Sequence, residues 1–161
     1  MAETGDCILV YFLDEQPLGK QFLRKRNEWP LHITLAPWFE VVDEPALIAN
    51  LEALAGRTES FSIQLGPVEQ FGNNATVTVV VDQTAVRKLQ EVLLKVVASV
   101  RDNRWVGKHY KAHVTHHDGQ PSPETGAVLD LSAFWLVRLL PDNVCEIAHR
   151  FALKGNDETA A

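Results

Sequence analysis

The apolar and polar positions of the chain alternate between two periods. Cys7–Phe12 (CILVYF) is an unbroken apolar run of β-formers and predicts a buried central strand. Residues 31–35 (LHITL) alternate, and residues 38–42 predict a continuation or partner of that strand. Asp43 is placed to cap a helix with Pro45 in its first turn; Leu47, Leu51 and Leu54 then fall at helical spacing, and Gly56 stops the run. Phe61, Ile63 and Leu65 alternate with polar residues, and a Gly72-Asn73-Asn74 turn leads into a predicted strand over 75–81. Val86, Leu89, Leu93, Val96, Val97 and Val100 mark one face of an amphipathic helix over 84–100. Residues 111–115 alternate again, and residues 117–124 (HDGQPSPE) have loop chemistry. Two strands, over 129–140 and 144–153, are predicted on either side of a Pro141-Asp142-Asn143 turn, before a frayed tail at 155–161. Tight turns between successive strands favour an α+β fold with antiparallel sheet over a doubly wound parallel one.

Composition narrows the picture. At 161 residues, 46% hydrophobic and 22% charged, the chain has the make-up of one globular domain, not of a disordered, fibrous or coiled-coil protein. The formal net charge of -6 runs against a protein that coats long duplex nucleic acid, because such binding rests on Lys and Arg contacts to phosphate. A nucleic-acid substrate is therefore expected to be short or held by a local basic patch. No apolar run approaches the roughly 18 residues needed to span a bilayer. The acidic N-terminal stretch from Met1 to Asp6 is not a signal peptide, so a cytoplasmic protein that does not engage membranes is expected. Cys7 and Cys145 lie far apart in apolar surroundings and read as two reduced, buried thiols; without a CxxC pair, no thiolate metal site is expected.

The chain has no GxGxxG, no GxxxxGK[ST] and no GxSxG, which turns attention to its 6 histidines. His32-Ile33-Thr34 and His113-Val114-Thr115 share one pattern: His, a β-branched apolar residue, then Thr. On a strand, the His and Thr of each tripeptide project to one face while Ile33 and Val114 point to the other. With 6 His and 14 Ser plus Thr, chance alone supplies roughly half of one His-x-Ser/Thr tripeptide, so a matched pair stands out. Each motif also follows a stretch rich in Lys and Arg, over 20–26 and 101–111, that contains or leads to a tryptophan, Trp29 and Trp105. The two halves of the chain look like a weak internal duplication carrying one motif each. Two imidazoles facing a phosphodiester supply a general base for the attacking oxygen and a general acid for the leaving one. Two threonine hydroxyls stabilise charge on the non-bridging oxygens, and no metal is needed.

The stretches LHITLAPWF and YKAHVTH resemble the paired HxT/S motifs of the 2H phosphoesterase superfamily, in particular its 2′-5′ RNA ligase-like branch. The spacing of 81 residues between His32 and His113 and the order of elements are similar to that family along nearly the whole chain. The resemblance implies a bilobal α+β fold, with two antiparallel sheets facing across a central groove and helices packed outside. It also implies a metal-independent, cofactor-free activity on 2′,3′-cyclic phosphates or 2′-5′ linkages of RNA ends or nucleotides. His32 and His113 match the catalytic pair, and Thr34 and Thr115 match the phosphate-binding hydroxyls. The chain departs from the branch at Asp118, where an arginine is common, and at Ala112, where a proline is common.

Other residues carry two readings. Lys111 and Lys108 flank the second motif, and Lys111 is a candidate phosphate contact on the face of His113. Trp38, Phe39 and Tyr110 lie near the motifs as candidate base-stacking groups, with core packing as the alternative. The basic run at 20–26 reads as an RNA-backbone contact or as ordinary surface. His109, His113 and His117 would form a metal-binding stripe on a helix, but β-branched Val114 and Thr115 argue for a strand. His116, His117 and Asp118 read as supporting partners of the site or as a solvated loop, and His149 and Trp135 as structural. The function expected is a monomeric 2′,3′-cyclic phosphodiesterase or 2′-5′ RNA ligase-like hydrolase, the alternative being a non-catalytic module that binds RNA ends or nucleotides in the same groove.

Overall fold

The computed structural model describes residues 2–25, 28–72, 75–97, 99–104, 106–117 and 119–155. The expectations placed on Met1, Arg26, Asn73, Asn74, Trp105, Asp118 and 156–161 lie outside these. In chain order the strands are β1 (Cys7–Phe12), β2 (Gln21–Leu23), β3 (His32–Phe39), β4 (Phe61–Phe71), β5 (Ala75–Val80), β6 (His113–Thr115), β7 (Val128–Leu131), β8 (Ala133–Leu140) and β9 (Val144–Ala152). Helix α1 (Glu44–Gly56) follows β3, and α2 (Thr84–Leu94) follows β5. The strands form one nine-stranded sheet in the order β2-β9-β8-β1-β3-β6-β5-β4-β7, in which every paired strand is antiparallel. This corrects the expectation of two separate sheets. The motif strands β3 and β6 are direct neighbours at the centre, and the halves on either side of them are joined into one ladder.

That central join is narrow. The register between β3 and β6 has the single pair Ile33↔Val114, and both residues are fully buried. β6 itself is shorter than the stretch predicted over 111–115, because Lys111 and Ala112 leave the line of β3 before the ladder begins.

The local predictions are explained by capping and register. Asp43 accepts a hydrogen bond from the Ala46 amide (3.1 Å) and starts α1, as the Asp-x-Pro signal requires. Leu47, Leu51, Leu54 and Ala55 are its buried side, and Arg138 of β8 ties its first turn through Glu44. Helix α2 ends at Leu94, well short of residue 100. Past that point Val96 and Val97 still pack on the core, but the chain turns and Val100 pairs with Phe39. The apolar spacing continued while the helix did not, because a return segment lined with valines shows the same pattern. The strand predicted over 129–140 is two strands separated at Ser132: β7 pairs with β4, and β8 pairs with β1 and β9. Cys7 and Cys145 are free and buried, and burial pushes their thiols up to about 12 and about 11. Among the described residues, no helix is long and apolar enough to cross a membrane.

Candidate active site

Alternation along β3 and β6 places the motif side chains as the sequence predicts. His32 and Thr34 are half-buried while Ile33 is fully buried, and the same holds for His113 and Thr115 around Val114. The two imidazoles are held alike. His32 donates from Nδ1 to the Pro30 carbonyl (2.9 Å), and His113 donates from Nδ1 to the Lys111 carbonyl (2.7 Å). A carbonyl only accepts, so each bond fixes the proton on Nδ1 and leaves Nε2 as the reactive nitrogen.

Their surroundings differ. The His32 ring packs against Trp29 (centroids 4.6 Å), Phe12 (6.3 Å) and His117 (6.2 Å). Burial pushes its pKa down to about 4, against the opposing effect of the Pro30 bond, and positive charge on His117 or His113 acts in the same downward direction. The His113 ring meets the edge of Phe71 (4.7 Å). Burial also holds His113 below the usual histidine value; the Lys111 carbonyl opposes this and the Lys111 ammonium adds to it.

A cavity of about 350 Å³ joins the two motifs. Thr34 enters it from the first and His113 from the second, with Ile8, Pro37 and Phe71 as apolar walls and Lys111 at its edge. Lys111 is paired with Glu69 (Nζ to Oε1 3.0 Å) and lies 5.7 Å from the centre of the Phe71 ring. Of the residues expected to stack a base, Phe39 is wholly buried and has no free face, which corrects that expectation. Tyr110 is also buried; its hydroxyl donates to the Thr34 carbonyl (2.8 Å), so it joins the motif strands and its ring forms part of the cavity wall. Trp38 is half-buried, with Trp29 at its edge and the Arg24 guanidinium 5.2 Å above its ring. Among the described residues of the basic run, Arg24 is the one set over an aromatic ring of β3.

The sequence offers His117 as a supporting partner of the site, but not the groups that hold it there. The Trp29 carbonyl accepts from His117 Nδ1 (2.7 Å) and from Gln120 Nε2 (2.7 Å), which seats the loop after β6 beside His32. For the Trp29 carbonyl and Gln120, the placement of Trp29 three residues before the motif histidine is the one signal. His117 is therefore a neighbour of the site and not solvated loop, whereas His116 bonds Thr78 through Nε2 (2.7 Å). His109 is exposed on a single turn at Gly107–His109, so no helical stripe of 109, 113 and 117 exists. His149 meets Glu52 at 3.3 Å, and Trp135 is a core residue.

The sequence matches the profile of the 2′-5′ RNA ligase superfamily over residues 16–147. Among solved structures, TT0787 of Thermus thermophilus is similar in fold, with a TM-score of 0.60 and 19% identity, covering 94% of this chain and 99% of that one. LigT of E. coli complexed with NADP+ superposes with a TM-score of 0.62 at 16% identity, covering 94% and 99%. LigT complexed with phosphate gives 0.59 at 14% identity, covering 95% and 99%. No curated protein sequence matches the chain. With the family profile spanning most of its length and both HxT motifs set side by side at the centre of the sheet, this chain belongs to the 2′-5′ RNA ligase superfamily of 2H phosphoesterases.

Proposed function

We propose that the protein is a metal-independent phosphodiesterase that opens 2′,3′-cyclic phosphates, or cleaves related 2′-5′ phosphodiesters, at RNA ends or on nucleotides. The observation that carries this reading is the matched setting of the two imidazoles. Each has its Nδ1 proton held by a backbone carbonyl, and one cavity takes in Thr34 of the first motif and His113 of the second.

The surroundings of the two rings support one division of roles. His32, the more strongly depressed of the two, is neutral near pH 7 and takes the proton from the attacking water through Nε2. The water oxygen forms a bond to phosphorus, the bond from phosphorus to one ribose oxygen breaks, and His113 Nε2–H gives that oxygen its proton. The hydroxyls of Thr34 and Thr115 donate to the non-bridging oxygens, where charge accumulates in the transition state. The product is an acyclic 2′- or 3′-monoester. The apolar walls at Ile8, Pro37 and Phe71 offer a place for the sugar or base beside the phosphate, and Lys111 a cation at its rim. LigT has been crystallised with phosphate and with 3′-AMP, which is in keeping with a phosphate and nucleoside ligand here.

The test is turnover of 2′,3′-cyclic nucleotides and of a short RNA with a cyclic phosphate end, in the presence of a chelator, by the wild type, His32→Ala and His113→Ala. Turnover that falls at least about 100-fold in each variant supports two-histidine catalysis. Binding without turnover in the wild type overturns it and leaves a reader of RNA ends.

A further inference from the structure

The chain segment leading into the second motif meets a strand at its end, where the Val80 amide of β5 donates to the Ala112 carbonyl (3.1 Å). Beyond the single rung Ile33↔Val114, residues 107–112 part from β3, and side chains of Gln83, which precedes α2, and of Arg87 and Gln90 within it bond several of their backbone groups. Gln83, Arg87 and Gln90 are spaced four and three residues apart, which puts them on one side of the helix. Gln83 Oε1 accepts from the Ala112 amide (2.6 Å), and Gln83 Nε2 donates to the Ala112 carbonyl (3.1 Å). Arg87 Nη2 donates to the Tyr110 carbonyl (2.7 Å). Gln90 is 1% exposed and uses both ends of its amide: Oε1 accepts from the Gly107 amide (3.1 Å), and Nε2 donates to the Leu35 carbonyl of β3 (2.9 Å). Tyr110 then returns to β3 through the bond from its hydroxyl to the Thr34 carbonyl.

Leu35 and Thr34 belong to or adjoin the first motif; Gly107 and Tyr110 stand just ahead of the second. We infer that Gln90 and Tyr110 form a two-point clamp that sets the separation of the two HxT motifs, acting as positioning residues for the reaction proposed above, on which this inference rests. A bridging amide is a rigid spacer of fixed length, and a buried one is costly to leave half-bonded. Two groups that must meet one phosphorus from opposite sides tolerate little error, since displacements of about 1 Å lower rates by about 100-fold. Gln90 and Tyr110 also line the cavity, but the bonds removed in the variants act on alignment, and Tyr110→Phe keeps the ring in the wall. Loss of the clamp therefore lowers kcat and leaves KM nearly unchanged.

The experiment compares the wild type with Gln90→Leu, Tyr110→Phe and the double variant, using Leu54→Ala, buried under α1, as a control for plain loss of stability. Steady-state kinetics on a 2′,3′-cyclic nucleotide are paired with titration of the ¹⁵N-labelled imidazoles by inorganic phosphate. In the wild type both Nε2 signals are expected to respond with one common Kd. Each single variant is expected to lose at least about 10-fold in kcat with KM within about 3-fold. In the double variant the Kd values read at the two rings are expected to separate by at least about five-fold. A kcat within two-fold of wild type, a loss confined to KM, or a loss that merely follows Tm as in Leu54→Ala overturns the clamp. If the wild type turns over no cyclic phosphate, the reaction proposed above fails and the phosphate titration alone decides: a common Kd retained in the double variant overturns the clamp, and separated values uphold it.

Discussion

His32 and His113 are bound by the same device: each ring donates Nδ1–H to the carbonyl two residues before it, Pro30 in one case and Lys111 in the other. Neutral imidazole in water favours no such fixed arrangement, so ¹⁵N spectra at neutral pH should show both rings as the Nδ1–H tautomer, with Nε2 unprotonated. Finding the Nε2–H tautomer at His32 would leave no lone pair there to take the proton of water and would remove that ring from the proposed proton path.

The pH dependence follows from the direction of both shifts. His32 must be neutral to accept a proton, and it becomes so above about 4. His113 must be protonated to give one, and its lowered pKa means that it loses its proton below the ordinary 6.5. The profile of kcat/KM should therefore be bell-shaped with its optimum below pH 6.5. His32→Ala removes the acidic limb and His113→Ala the basic one. An optimum above pH 7 would contradict the assignment.

Thr34 and Thr115 are expected to act on the rate. Replacing either by valine keeps shape and removes one donor to the developing charge, which costs about 100-fold in kcat. Substrate affinity, read from inhibition by the product nucleotide, should change far less.

Lys111 is held by Glu69 in the structure, so a phosphate must compete for it. Lys111→Met should raise KM for an anionic substrate about 10-fold, the worth of one hydrogen bond to a charged group, with kcat within a few-fold. Glu69→Gln frees the ammonium and should lower KM. Equal KM values in both variants and the wild type would show that Lys111 belongs to the surface.

Asp6 and Arg101 form a two-bonded ion pair (2.8 and 3.0 Å) that straps the segment after α2 to the start of β1, with the Asp6 side chain only 4% exposed. Burial pushes the Asp6 carboxyl up, but the Arg101 bonds and the Glu3 amide outweigh it and hold it below the ordinary carboxylate value. A depressed carboxylate stabilises the fold above about pH 3.9, and that stability is lost as pH falls through the folded value. Arg101→Met leaves the Asp6 carboxylate without its partner and should lower the midpoint of a denaturant melt at pH 7. Asp6→Asn added to it should recover part of the loss.

The sequence made some of this legible and not the rest, for physical reasons. Alternation within His-x-Thr is a local property, so the face on which each histidine lies was readable from three residues. The Asp43 cap of α1 was equally local. What joins the motifs is not local. That β3 and β6 are neighbours in one sheet rests on the single Ile33↔Val114 rung, which no period announces. Phe39 and Trp38 looked alike as candidate stacking groups, yet one faces the core and the other Arg24. Gln90 did leave a trace: it is an amide adjoining the apolar positions Leu89 and Leu93 of an amphipathic helix, the kind of residue that is buried only with partners at both ends.

The arrangement of the sheet also bears on the order in which the protein assembles. One half, β4 to β7, comes from the unbroken stretch 61–131; the other is made from 7–39 and 133–152, so that Cys7 of β1 pairs with Arg138 of β8. Strands close in sequence meet at small entropic cost, whereas the β1–β8 ladder must close a loop that contains the entire other half. The inserted half is therefore expected to collapse early, and its compaction brings β8 within reach of β1. Each motif strand has a partner close in sequence, β1 for β3 and β5 for β6, and the β1–β8 ladder closes the sheet when the last part of the chain arrives.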